Sequence, residues 1–303
     1  MKRIVQILLV MILVFFLGSI IFGMGMMAGL MGEPEDSVAK NSVMTIDLDG
    51  IIIDGKEFLH LLRKYRDDKN IKGVLVRISS PGGVVGPSQE IHDEIKRTRE
   101  HFKKPVVAYC ASVTASGAYY AAVAADKIVT TPGCMIGSIG VIMEFVNLGK
   151  LYDWAKIQRY AITTGKFKDA GAEYKPMDPE ARVLFQSLLD DVLRQFKQAI
   201  VDGRKIKPEV LDKYADGRVF TGAQAVTLGL ADSVGSYSDA LKEIGQLAGL
   251  GDEPEVFEAK KKRGFVEFLE QASEARFESV ADKVLRSNLN ARPLYLLPGA
   301  FNF

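Results

Sequence analysis

Two hydrophobic patterns divide the chain. Residues 4–32 carry no charged side chain and open with Ile4-Val5-Gln6-Ile7-Leu8-Leu9-Val10. That run exceeds the roughly 20 residues needed to cross a bilayer core. It also exceeds the apolar region of about 7–15 residues found in a secretory signal. Its end, Gly23 to Met27, offers no Ala-x-Ala cleavage site, so the run reads as an uncleaved transmembrane helix. Lys2 and Arg3 precede it, whereas Glu33, Glu35 and Asp36 follow. The positive-inside bias then predicts a single-pass protein of the inner or plasma membrane. Its N-terminus is cytoplasmic, and the rest of the chain is periplasmic or extracellular.

Beyond a polar linker at 33–42 the pattern becomes short apolar runs alternating with amphipathic ones. Strands are expected at 43–48, 73–78, 105–109 and 127–129, and helices at 56–66 and 88–102. Ile91, Ile95, Thr98 and Phe102 form one stripe of the second helix, the spacing of a core-facing surface. Asp178-Pro179 supplies an N-cap and a first-turn proline for a long helix to about residue 203. Shorter helices are expected at 207–215, 221–228 and 237–248. Strand–helix alternation of this kind predicts an α/β fold with mostly parallel strands and flanking helices over 43–250. Residues 251–303 read as a helical extension closed by the apolar tail Pro293-Leu294-Tyr295-Leu296-Leu297-Pro298.

Composition narrows the partners. A net charge of +1 over 303 residues, with no basic run interleaved with aromatics, argues against nucleic acid. The two cysteines, Cys110 and Cys134, are too few for a disulfide scaffold. An exported domain could pair them, but a buried free thiol is as ordinary a fate for Cys110 at the end of a strand. No histidine or cysteine stands at zinc-like spacing, so neither metal nor cofactor is expected.

Candidate chemistry centres on Ser116, in Ala115-Ser116-Gly117-Ala118-Tyr119-Tyr120, between a strand-like and a helical run. A serine nucleophile needs a base. The three histidines, His60, His92 and His101, all precede it, which leaves lysine as a candidate. Ser79-Ser80-Pro81-Gly82-Gly83 joins a buried strand to a helix, and its free amides suit a phosphate cradle or an oxyanion hole. It fits neither G-x-G-x-x-G nor a Walker A loop. Taken singly, each motif is equally a structural turn or cap.

Their order carries more. Ser-Pro-Gly-Gly, then Ala-Ser-Gly-Ala-Tyr-Tyr, Ile-Gly-Ser-Ile-Gly-Val at 136–141 and Gly-Lys-Phe-Lys-Asp at 165–169 together resemble the signal peptide peptidase A family, the serine–lysine peptidases S49. Asp216 to Gly222 and Leu228 to Asp232 add to the resemblance, which covers roughly residues 44–245. One copy of each motif resembles the short, single-domain form. The resemblance implies a Clp protease/crotonase-like fold, Ser116 as nucleophile and Lys168 as general base. Ser138 would orient the lysine, while the Gly83 and Gly117 amides would form the oxyanion hole. Members often have Gly-Gly where this chain has Gly117-Ala118. Lys168 is preferred to Lys166 on motif alignment alone, since strand alternation would put both on one face.

A lysine with an ordinary pKa near 10.4 cannot accept a proton at neutral pH, but burial lowers that value. The resemblance further implies cleaved signal peptides and membrane-associated peptides as substrates, with a homo-oligomeric assembly. Three rivals stand beside it: a related peptidase cleaving stomatin-like or other membrane proteins, a crotonase-like acyl-CoA enzyme, and an inactive anchored scaffold. Export weighs against the second, because CoA is cytoplasmic. The apolar tail is expected either to dock on a neighbour or near the substrate groove, or to pack on the surface.

Overall fold

The computed structural model describes residues 11–13, 15–20, 23, 38–260 and 294–296. Two compact units emerge, residues 1–37 with 262–278 and residues 38–261 with 279–303. The described residues of the first are helical, and Phe15, Phe16 and Leu17 are exposed. Among the described residues no helix is long and apolar enough to cross a membrane. The expected span at 4–32 lies largely outside them, as does the amphipathic helix expected after residue 263.

The second unit is built on ten strands and eight helices among the described residues. In chain order these are β1 (Ser42–Asp49), α1 (Lys56–Arg66), β2 (Ile71–Ser80), β3 (Gly82–Val84), α2 (Val85–Glu100), β4 (Val106–Ala115) and α3 (Gly117–Ala122). There follow β5 (Lys127–Thr130), β6 (Met135–Gly137), α4 (Gly149–Trp154), α5 (Pro179–Arg204), α6 (Pro208–Leu211) and β7 (Val219–Thr221). The unit ends with α7 (Gly222–Thr227), β8 (Ser233–Val234), α8 (Tyr237–Leu247), β9 (Glu255–Glu258) and β10 (Leu294–Leu296).

Eight strands form one sheet, in the order β7-β6-β4-β2-β1-β9, with β5 and β8 branching from β4. All pairs are parallel except β6 with β7. The mostly parallel α/β expectation therefore holds. Burial on both faces explains the near-continuous apolar reading of β1 and β2. Met44, Ile46, Val74, Val76 and Ile78 enter the larger core, against α1, α2 and α3. Val43 and Leu75 point the other way, toward Ala240 and Ile244 of α8. Strand β9 lies beyond the boundary expected at residue 250 and adds an edge to the same sheet.

Local signals explain the helix limits. The Asp178 carboxylate accepts from the Glu180 and Ala181 amides ahead of α5, and capping boxes open α7 at Thr221 and α8 at Ser236. At its far end α5 is tied to the sheet by Asp232. That carboxylate accepts from the Ile128 N–H at 2.7 Å and from Arg204 at 2.8 Å. Burial alone would raise the Asp232 pKa, but Arg204, the Ile128 amide and Lys127 together hold it below the usual value.

Asp232→Ala would leave the Arg204 guanidinium, only 7% exposed, without its counter-charge. We expect a loss of about 3 kcal/mol in a denaturant titration, the cost of breaking a buried pair. Because the folded carboxyl is the stronger acid, its stabilisation is full at neutral pH. It is lost as pH falls below about 4, and the variant's stability should be the less acid-sensitive.

Candidate active site

Strand β4 delivers Ser116 with a positive φ outside the usual allowed regions, φ +53° and ψ −116°. Its N–H donates to the Gly137 carbonyl at 2.7 Å, and its own carbonyl accepts from the Tyr120 N–H at 2.8 Å. Such a backbone costs of order 1–3 kcal/mol on a non-glycine residue and persists only where its surroundings fix it. Here β4 and β6 fix it from behind, and α3, buried along its whole length, fixes it ahead. The side chain is 1% exposed, and Oγ has no hydrogen-bond partner among the described residues. Strain and an unsatisfied hydroxyl both oppose stability, and both suit an oxygen that must be free to attack.

The glycine loop lies beside it. Ile52 bridges to Gly83 in parallel fashion: its N–H donates to the Gly82 carbonyl at 2.9 Å, and its carbonyl accepts from the Val84 N–H at 2.8 Å. Strand alternation therefore turns the Gly83 N–H and carbonyl to the opposite edge. Gly82 has φ +96°, and a methyl there would lie 2.7 Å from the Gly117 nitrogen. A methyl on Gly83 would fall 2.0 Å from the Ile52 carbonyl oxygen. The chain thus needs glycine at both positions, and the loop and the Gly117 amide converge on one small volume.

Ser138 stands on the next strand end, since Ala115 and Gly137 are register partners. It is 2% exposed, has φ +50°, and donates its N–H to the Arg218 carbonyl at 2.8 Å. Lys168 is differently placed. Residues 166–170 form turns, with the Lys168 N–H bonded to the Gly165 carbonyl at 3.2 Å, so strand alternation does not apply to Lys166 and Lys168. Gly165, at φ +105°, breaks the extended backbone. Lys168 is exposed and makes no hydrogen bond to Ser116, whereas Lys166 is paired with Glu180. The structure brings Ser116, Ser138, Gly83 and Gly117 together and leaves Lys168 in water.

The histidines do not replace it. His60 and His101 are exposed, and burial pushes His92 below its ordinary pKa while it packs edge-on to Tyr120. Cys110 and Cys134 are both free and buried, and burial raises both thiols. One element at the site escaped sequence reasoning. Strand β10 of the apolar tail pairs antiparallel with β3, Tyr295 opposite Gly83. Its apolar composition was a signal, but the pairing partner was not readable.

Known proteins resemble this chain over much of its length. The model of the family described as Peptidase family S49 matches residues 98–251. The candidate protease slr0021 of Synechocystis is 36% identical over 219 residues, covering 72% of this chain and 78% of that protein. The chloroplastic serine protease SPPA of Arabidopsis thaliana is 35% identical, covering 66% of this chain and 30% of its own length. A candidate signal peptide peptidase, SppA, of Enterococcus faecium is 30% identical, covering 69% and 64% respectively.

Gly83→Ala tests the loop. With no room for a methyl beside the Ile52 carbonyl, β3 must shift, and the expected cost is about 2 kcal/mol of stability, typical of overpacking. Peptide hydrolysis should fall at least as far as in Ser138→Ala, measured on samples shown to be folded by circular dichroism.

Proposed function

The chain belongs to peptidase family S49, and from that premise we propose that it is a membrane-anchored serine endopeptidase acting on cleaved signal peptides. The observation that carries this reading is Ser116: buried, strained, unpartnered at Oγ and flanked by the Gly83 and Gly117 amides. Relatives named as a serine protease and as a signal peptide peptidase support it.

In this mechanism a neutral Lys168 takes the Ser116 proton as Oγ attacks the scissile carbonyl. The Gly83 and Gly117 N–H groups hold the tetrahedral oxyanion, and Ser138 orients the lysine. Lysine returns the proton to the leaving amine, and water then releases the acyl group. Lys166 is engaged elsewhere, in an ion pair with Glu180.

Lys168 must leave water to serve, and its surroundings suggest how. The same segment exposes Leu151, Trp154, Ile157, Tyr160 and Ile162, with Trp154 and Tyr160 each 81% accessible. Apolar surface of this extent is typical of a contact with another protein. We assign it to a second copy of this chain, which would cover the segment and desolvate Lys168 in the same step. The uncharged run at 4–32 supplies the bilayer anchor, holding the site where released signal peptides lie.

Incubating the chain with a synthetic signal peptide and mapping cuts by mass spectrometry tests the chemistry. Ser116→Ala and Lys168→Ala should each abolish cutting while leaving the fold intact, and Lys166→Ala should retain most of it. Near-normal turnover in Lys168→Ala would remove the lysine from the mechanism. Trp154→Glu tests the assembly: light scattering should show smaller species, and hydrolysis should fall with them.

A further inference from the structure

The turn Asp216-Gly217-Arg218 has no role in the mechanism above, yet it reaches both serines of the site through a single peptide group. The Gly137 carbonyl accepts from the Ser116 N–H at 2.7 Å. The N–H of that same peptide unit, which belongs to Ser138, donates to the Arg218 carbonyl at 2.8 Å. A peptide group is planar and stiff, so whatever fixes its N–H also fixes the direction of its carbonyl. The two residues it joins have φ +105° and +50°, and Ser116 beside it has φ +53°. Backbone of this kind on non-glycine residues persists only where the surroundings over-determine it. Beyond Ser138 the Gly217 N–H donates to the Ile139 carbonyl at 3.1 Å, so the turn grips the chain on both sides of that serine.

Asp216 gives the turn its shape. Its Oδ1 accepts from the Arg218 N–H at 3.2 Å and from the Arg218 Nε at 2.8 Å, while Oδ2 accepts from the guanidinium at 2.5 Å. An aspartate that accepts from the N–H two residues on closes an Asx turn, and closure sets which way the Arg218 carbonyl points. The Arg218 guanidinium, and then its backbone N–H, hold the Asp216 carboxyl down to about 2, so this acceptor is ionised throughout the neutral range. Strand β7 continues from the turn with Val219 opposite Gly137. A methyl on Gly137 would lie 3.1 Å from the Phe220 ring and 3.2 Å from the Arg218 carbonyl oxygen, which shows how closely the two backbones meet. Both side chains of the Asp216–Arg218 pair are about half exposed. An ion pair so placed adds little to stability, so the backbone contact is the feature that matters here.

We propose that Asp216 is a positioning residue for peptide hydrolysis. By accepting the Arg218 N–H it aims the Arg218 carbonyl at Ser138, and through the Gly137–Ser138 peptide it fixes Ser116 and Ser138 relative to one another. Asp216 touches no reacting atom; its effect passes entirely through backbone. The turn acts on the nucleophile's side of the site, so its loss shows in kcat rather than in KM. Displacing reacting groups by about 1 Å from a distance costs on the order of a hundredfold in rate. This inference rests on the peptidase reading of Ser116 and Ser138.

The test measures kcat and KM of the full chain on a synthetic signal peptide, with folding of each variant followed by circular dichroism. Asp216→Ala should lower kcat about a hundredfold and leave KM within roughly twofold. Asp216→Asn keeps an oxygen for the Arg218 N–H and should recover kcat to within about tenfold of wild type. Asp216→Glu keeps the charge, but its longer side chain does not close the same turn, so it should stay as slow as Asp216→Ala. An Asp216→Ala chain with wild-type kcat, even if it melts at a lower temperature, overturns the inference by making the residue merely structural. A change in KM alone overturns it as well. Recovery in Asp216→Glu but not in Asp216→Asn does the same, because the ion pair rather than the turn would then be acting. These two variants decide the matter even if Asp216→Ala does not fold. If the wild-type chain does not cut the peptide, the peptidase reading falls and this inference with it.

Discussion

Parallel pairing of β2 with β4 is the constraint on which the site depends. Strands that run together end together, so the glycine loop after β2 and the serine after β4 arrive at one end of the sheet. The pairing is not uniform. Ile78 faces Cys110 while Ser80 faces Thr114, so β4 takes up two extra residues between these pairs. Ser79 and Ser112 bridge across the irregularity, hydroxyl to hydroxyl, at 2.7 Å. There β4 also changes neighbours, pairing with β5 through Cys110 and with β6 from Val113 onward. The bulge re-aims the strand end, as bulges beside active sites do. Without it Ser116 would continue along β5 and miss Gly137, whose carbonyl fixes its backbone.

The two halves of the proposed acid–base pair live in contrasting surroundings. Ser116 opens a helix whose six residues are all buried, with the Tyr119 hydroxyl bonded to the Leu230 carbonyl at 2.8 Å. Little there can move without disturbing the core, which suits a nucleophile held in an unfavourable backbone. Lys168 lies on a segment that packs against little and exposes several large apolar side chains. In the proposed mechanism, a rigid nucleophile with a base that must be brought out of water would make activity conditional on whatever covers that segment. The same burial that lowers a lysine pKa would thereby act as the condition for catalysis.

What the sequence made legible follows from how local each signal was. Helix α1 was readable to the residue, and α5 nearly so, because an Asp-Pro cap and helical spacing are local. Ser116 and the glycine loop were legible as candidate motifs, since their residue types answer backbone needs at single positions, as the clash at Gly83 illustrates. The upper half of β4 was not, because Ala111 to Ala115 carry a weak apolar pattern and owe their extension to pairing with β6. Strand alternation could not separate Lys168 from Lys166, and the segment is a run of turns set by Gly165 and local hydrogen bonds. Strand β10 was beyond reach for a stronger reason: its partner lies some two hundred residues earlier, a separation no sequence window spans.

That distant pairing answers a problem common to every open strand edge. An open edge beside paired glycines is sticky toward any extended chain, and natural sheets cover such edges. Here a short strand of the same chain covers it. Backbone pairing alone would discriminate poorly between the tail and other peptides, since every extended chain offers the same N–H and carbonyl groups. The aromatic pocket breaks that equivalence: Tyr295 adds ring stacking on Tyr120 and a hydroxyl bond to Val192 that the backbone cannot supply. Tyr120, Val192 and Phe196 therefore hold this strand by its side chain, while β3 pairs with its backbone.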